Sequence, residues 1–168
     1  MVNRILDFSR RPGEKFEVLD VNRVVKTVMN LAKKYLEHRH VALRESLDLD
    51  MPPIEGNATT LGQVVLNLII NGVEAMPGGG TLAISTRHST NEHVEICVSD
   101  SGVGIPEDEL SRIFEPFYST KADGTGLGLS ISHSIVSQHQ GEIQVESAVG
   151  EGTSFIVRLP AYSNGPGD

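Results

Sequence analysis

Between Leu61 and Met76 the chain has no Lys or Arg and a single charge, Glu74. Leu61, Val65, Leu68 and Ala75 make one apolar stripe at helical spacing, and Leu66, Ile69, Ile70 and Val73 make another. A helix that is apolar nearly all round is buried nearly all round, so this stretch predicts a buried helix over about 58–75. Asn57 is placed to cap its start, reinforced by Thr60 with Gln63 three residues on. Against the apolar background, Gln63, Asn67, Asn71 and Glu74 follow at steps of four, four and three, one narrow polar track. Buried amides and a carboxylate need partners. An internal hydrogen-bond network and a ligand-facing track both supply them, and an Asn oxygen can also ligate Mg²⁺.

With 168 residues the chain is long enough for one sizeable core. Val2, Ile5 and Leu6 read as the last turns of a helix that stops at Arg11-Pro12-Gly13. Next come a short strand at 16–19 and an amphipathic helix over about 21–37, capped by Asp20 or Asn22, with Val24, Val25, Val28, Leu31, Ala32 and Tyr35 on its stripe. A strand at 41–47 ends at Pro52-Pro53. After the turn at Gly78-Gly79-Gly80, a hairpin joins 81–87 to 93–99, and a short helix starts at Pro106. A helix over about 126–139, with Leu127, Ile131 and Ile135 buried, precedes strands at 142–147 and 153–159. The tail from Ser163 is expected to fray. Strict βαβ alternation is missing, so the fold class is α+β: a two-layer sandwich, three main helices on one face of a mixed, mainly antiparallel sheet.

Lys and Arg number 14 against 22 Asp and Glu, a net charge of −8. That argues against coating nucleic acid or an anionic membrane, which takes clustered cations. A small anion bound by backbone amides stays open. The single cysteine, Cys97, excludes an internal disulfide framework and suits a reducing, cytoplasmic compartment.

Two strands end in polar residues on their apolar side. Val94, Ile96 and Val98 share a face, and the period of two carries Asp100 to it. Phe155, Val157 and Leu159 do the same for Thr153. A carboxylate and a hydroxyl at the ends of apolar tracks fit adenine, whose exocyclic amine donates to a carboxylate and whose ring nitrogens accept from a hydroxyl or water; Asp100 as a cap of the following turn fits as well. Two glycine clusters, Asp100-Ser101-Gly102-Val103-Gly104 and Gly124-Thr125-Gly126-Leu127-Gly128-Leu129, flank an aperiodic segment at 114–125 that reads as a lid. The second cluster opens a helix, where free amides let phosphate oxygens approach. It lacks the G-x-x-x-x-G-K-[ST] spacing of a Walker loop and the G-x-G-x-x-G of a dinucleotide fingerprint.

The order Asn67-x-x-x-Asn71, Asp100-x-Gly102-x-Gly104, Phe114-Glu115-Pro116-Phe117, Gly124-x-Gly126-x-Gly128 resembles the catalytic ATP-binding domain of sensor histidine kinases. Gly150-Glu151-Gly152-Thr153-Ser154-Phe155 is similar to its closing motif, and the resemblance runs from about Asp20 to Pro160. It implies the Bergerat fold, with ATP and Mg²⁺ as cofactors. It further implies that Asn71 ligates Mg²⁺, Asp100 reads the adenine amine, Thr153 supports adenine through water, the amides of Gly126, Leu127, Gly128 and Leu129 hold phosphate, and Asn67 sits beside the phosphates. Gly102, Gly104, Gly124 and Thr125 belong to the same site, and Lys121 in the lid is a candidate γ-phosphate contact. Gly72 stands where the family usually has Ala, which loosens the helix by roughly 0.5–1 kcal/mol without touching the ligands.

Related ATPases of this fold place a Glu one turn before the Mg²⁺-binding Asn to activate water; here that position is Asn67, an amide without useful basicity. The resemblance also calls for a phosphoacceptor His on a separate dimerisation domain. None of His38, His40, His88, His93, His133 or His139 has its sequence context, and these read as surface or packing residues. Residues 1–13 then read as the end of that missing domain and a linker, 14–162 as the catalytic domain and 163–168 as a tail. The implied function is phosphotransfer from ATP to a His in trans, with a response regulator downstream and no nucleic-acid partner. The longer protein is expected to be a homodimer, membrane-anchored or soluble, and the present chain a monomer. An ATP-hydrolysing clamp and a degenerate nucleotide-binding scaffold are the alternatives.

Overall fold

The computed structural model describes residues 15–90, 92–119 and 126–163. The expected helix end at 1–11 and the tail beyond 163 lie outside the described residues. In chain order the elements are β1 (Glu17–Leu19), α1 (Val21–His38), β2 (Val41–Leu47), β3 (Ile54–Gly56), α2 (Ala58–Glu74), β4 (Gly80–Ser89) and β5 (His93–Asp100). Then follow α3 (Glu107–Leu110), α4 (Gly128–Gln138), β6 (Glu142–Ala148) and β7 (Gly152–Pro160). The main sheet runs β2-β4-β5-β7-β6, parallel between β2 and β4 and antiparallel elsewhere. The expected α+β two-layer architecture is what forms: α1, α2 and α4 pack over the face carrying Leu82, Ile84, Ile96, Val98, Val157 and Leu159. No helix among the described residues is long and apolar enough to cross a membrane.

Local chemistry explains most of the boundaries. Asp20 caps α1 by accepting from Asn22 N at 2.9 Å. Asn57 caps α2 by accepting from Thr60 N at 3.0 Å, and the Thr60 hydroxyl donates to Asn57 O at 3.3 Å. The cap thus pairs Thr60 with Asn57, while Gln63 points to solvent instead of completing the box. The short strand β3, just after Pro52-Pro53, pairs with β1 as a separate antiparallel ribbon. Three residues are too few to show a period in the sequence.

Three stripes differ from expectation. On α1, Met29 and Leu36 are buried, whereas Leu31 is 74% exposed. On α4 the buried face is Ser132, Ile135 and Val136, continued by His139 just past the helix end, and Ile131 is 39% exposed. The helix starts at Gly128, and polar partners draw Ser132 and His139 inward where apolar spacing alone predicts Ile131. The His139 ring accepts from Asn57 N through Nε2 at 3.0 Å, so its Nδ1 donates to Ile135 O at 2.8 Å, tying the end of α4 to the start of α2. Nor is α2 enclosed all round: Leu66 and Ile70 are half-buried.

The outer face of the sheet holds a carboxylate that parity assigns to solvent. Glu95 is 2% exposed. Arg87 bonds one of its oxygens; Arg158 donates to the other through Nε at 3.1 Å and Nη2 at 2.9 Å and reaches Glu142 at 2.8 Å. The hydrogen bond from Arg87 holds the Glu95 carboxyl below its ordinary value, helped by Arg158 and opposed by burial. A depressed folded-state value means that the stabilisation is present above the unfolded carboxyl's range, about pH 4.3, and is lost as pH falls through the folded value. Glu95→Gln is therefore expected to lower unfolding free energy by about 1–2 kcal/mol at pH 7. In denaturant titrations the gap to wild type should close on acidification; a gap independent of pH would show that Glu95 acts by packing alone.

Candidate functional site

The polar side of α2, the loop after β5, the start of β7 and the head of α4 enclose a cavity of about 480 Å³. Asn67, Asn71 and Glu74 line it; Gln63 does not. The polar track therefore splits. Asn67 Nδ2 donates to Gly128 O at 3.3 Å and to Ser132 Oγ at 3.2 Å, holding the first turn of α4 against α2. Among the described residues every fully buried side-chain nitrogen and oxygen has a partner.

Asp100 and Thr153 both line the cavity and are register partners on neighbouring strands. Asp100 is 9% exposed, and its Oδ1 accepts from Gly102 N at 2.9 Å. Directly behind it lies Gly72. A Cβ there would meet Leu82 Cδ1 at 2.7 Å and Asp100 Cβ at 3.4 Å. Gly72 is thus more than a loosened helix position: it lets α2 lie against the carboxylate.

The glycine clusters divide in the same way. Gly104 lines the cavity. Gly102 does not; it gives way to the end of α2, where Val103 N donates to Ala75 O at 3.0 Å. Gly126, Gly128 and Leu129 line the wall, and a Cβ on Gly128 would meet nothing within 4 Å. Leu127 is the N-cap residue of α4, outside the wall, and its side chain makes no capping bond. The glycines at this helix start leave room beside amides whose dipole favours an anion. Lys121, Gly124 and Thr125 lie outside the described residues.

Sequence reasoning missed Ile105, Glu109, Ile113, Tyr118 and Ser119, which also line the wall. Tyr118 is braced by the Arg112 guanidinium, 4.5 Å from its ring centre. Phe114 turns inward, edge-on to Phe155 at 6.4 Å, while Phe117 is exposed and its N donates to Gly126 O at 3.0 Å. Among the described residues no group of three or more His, Cys, Asp or Glu could hold a metal by itself.

Residues 56–163 match the family described as histidine kinase-, DNA gyrase B- and HSP90-like ATPase. Sporulation kinase E of Bacillus subtilis is 36% identical over 164 residues, which cover 98% of this chain and 22% of that protein. Sensor histidine kinase ZraS of Salmonella typhimurium is 34% identical over 163 residues, covering 97% and 35%. The chain thus spans between about a fifth and about a third of these relatives. Among solved structures, the nucleotide-free catalytic domain of histidine kinase ThkA superposes with a TM-score of 0.79 at 31% identity, covering 88% of this chain and 96% of that one. Full-length ShkA in complex with AMPPNP gives 0.81 at 25% identity, covering 96% of this chain and 35% of that one. ThkA in complex with response regulator protein TrrA gives 0.78 at 28%, covering 96% and 46%. A family match over more than half the chain, joined to near-complete coverage of a related catalytic domain, places this protein in the histidine kinase-, DNA gyrase B- and HSP90-like ATPase family, as a histidine kinase catalytic domain.

Proposed function

We propose that this domain binds Mg²⁺–ATP in the cavity and passes the γ-phosphoryl group to a histidine on a separate dimerisation domain. The pairing of Asp100 with Thr153 in the wall of the same cavity that Gly128 and Leu129 of the α4 head line carries the reading. Asp100 accepts from the exocyclic amine of adenine, and the amides of Gly128 and Leu129 hold phosphate oxygens. Asn71 offers the cavity a neutral oxygen donor of the kind Mg²⁺ takes when phosphates and water supply its other ligands. The ion, when bound, neutralises charge on the phosphates. These groups position and stabilise; the bond from γ-phosphorus to the bridging oxygen breaks as one to a histidine nitrogen forms, and ADP leaves.

Asn67 separates this reading from the ATP-hydrolysing clamp. Its amide is a poor base and is already committed to Gly128 O and Ser132 Oγ, so nothing at that position activates water. A response regulator is the proposed downstream partner, by analogy with the ThkA–TrrA complex. The proposed setting is a cytoplasmic domain of a homodimeric sensor.

Incubation with γ-labelled ATP tests the reading. The chain alone is expected to bind ATP, release little phosphate and acquire no label, and addition of a matching dimerisation domain with its histidine should produce an acid-labile phosphohistidine on that domain. Phosphohistidine on the chain alone would reveal a missed acceptor. Rapid phosphate release that stops when ATP binding is blocked would move the domain to the clamp class.

A further inference from the structure

We propose that Ser147 is a positioning residue that sets which nucleobase the cavity accepts, by turning the hydroxyl hydrogen of Thr153 away from the base. The inference rests on the ATP reading above. Ser147 lies on β6 and is not part of the cavity wall. Its Oγ meets three groups: Ile105 N at 2.7 Å, Gly152 O at 2.9 Å and Thr153 Oγ1 at 2.7 Å. A serine hydroxyl has one hydrogen and two lone pairs. The Ile105 amide can only donate, and the Gly152 carbonyl can only accept. The hydrogen of Ser147 therefore goes to Gly152 O, one lone pair takes the Ile105 N–H, and the other takes the Thr153 O–H. Every hydrogen-bonding site on Ser147 is then filled. Thr153, its own hydrogen given away, keeps only lone pairs for the cavity.

The consequence appears across the strand pair. Asp100, the register partner of Thr153, is a carboxylate and so an acceptor only. Two adjacent side chains thus present acceptors to the same part of the wall. A 6-amino purine brings the N–H bonds that such a pair requires. A 6-oxo purine offers on that edge one N–H, at N1, and a carbonyl oxygen. The N–H can serve one acceptor, such as Asp100, but the oxygen then faces the lone pairs of Thr153 and goes unpaired, the kind of mismatch a site tuned to one hydrogen-bond pattern rejects. Asp100 alone reads an amine. Ser147 makes the neighbouring hydroxyl read it too, and it is held there by backbone groups from the loop after β5 and from the first residue of β7.

The test is calorimetric titration of the 168-residue chain with ATP and with inosine triphosphate, in wild type, Ser147→Ala, Thr153→Val and the double variant. Wild type should favour ATP. Ser147→Ala frees the Thr153 hydrogen to meet a 6-oxo group, so the preference should narrow by about tenfold, the scale of one net hydrogen bond. Thr153→Val should lower ATP affinity with little effect on inosine triphosphate, and adding Ser147→Ala to it should leave the ratio where it was. Equal loss for both nucleotides in Ser147→Ala, with an unchanged ratio, would overturn the proposal and make Ser147 a structural residue. Should Ser147→Ala not fold, Thr153→Val decides alone: an unchanged ratio overturns the proposal. If wild type binds neither nucleotide, the ATP reading itself falls, and this proposal with it.

Discussion

Asp100→Asn is expected to weaken ATP binding by about two orders of magnitude, with the fold intact, because a buried charged acceptor is worth roughly 1.5–3 kcal/mol. The substitution is close to isosteric. The amide oxygen of Asn can still accept from Gly102 N, the bond that orients the carboxylate in the wild type. What changes is the other position, where an acceptor becomes an N–H donor facing the N–H of the adenine amine. Two donors cannot share a hydrogen bond, and in so enclosed a spot water does not easily relieve them. Calorimetry with ATP, beside thermal unfolding of the same preparation, separates the effects. A variant that melts like the wild type and binds ATP equally well would remove Asp100 from the base-reading role.

The second large effect belongs to Gly152→Ala. Gly152 has φ +101, a conformation that L side chains rarely adopt, and a Cβ there would lie 2.0 Å from Asp100 O and 3.2 Å from Ser101 Cα. Both obstacles are backbone, so neither can rotate away; β7 would have to move off β5. Strain and overpacking together should cost about 3 kcal/mol or more, and because Thr153 follows directly, ATP affinity should fall with stability. Gly150 provides the control within the same turn. It has φ +82, but a Cβ there would meet nothing within 4 Å, so Gly150→Ala should show only the left-handed penalty of about 1 kcal/mol. Denaturant unfolding of the two variants gives the comparison, and equal losses would mean that the contact with Asp100 O is unimportant.

The sequence was most readable where a periodic apolar track carries a polar residue to its end. Val94, Ile96 and Val98 led to Asp100, and Phe155, Val157 and Leu159 led to Thr153; all eight residues are buried. Parity needs only local information. It misleads at Glu95, whose burial depends on Arg87 and Arg158 arriving from two neighbouring strands. The α4 face was misread for a related reason. Ser132 is drawn in by Asn67, 65 residues away, and His139 by Asn57, 82 residues away. Ser147 carried no signal at all, since its importance lies in three partners that become neighbours only once the sheet and the loop after β5 are assembled. The glycines announced that backbone would come close to something without saying what. Gly102 and Gly152 meet other parts of the chain, whereas Gly128 opens onto space.

Helix α4 is clasped at both ends by α2, through Asn67 near its head and through His139 just past its tail. A rod fastened at two points cannot swing about either one. Its leading amides are aimed before any anion arrives, and the entropy of ordering them is surrendered once, at folding, instead of at each encounter. Preorganisation of this kind raises affinity without adding a single contact to the ligand. It also means that a push on α2 from elsewhere in a longer protein would carry the phosphate-binding head of α4 with it, so the two helices would respond to such a signal as one lever.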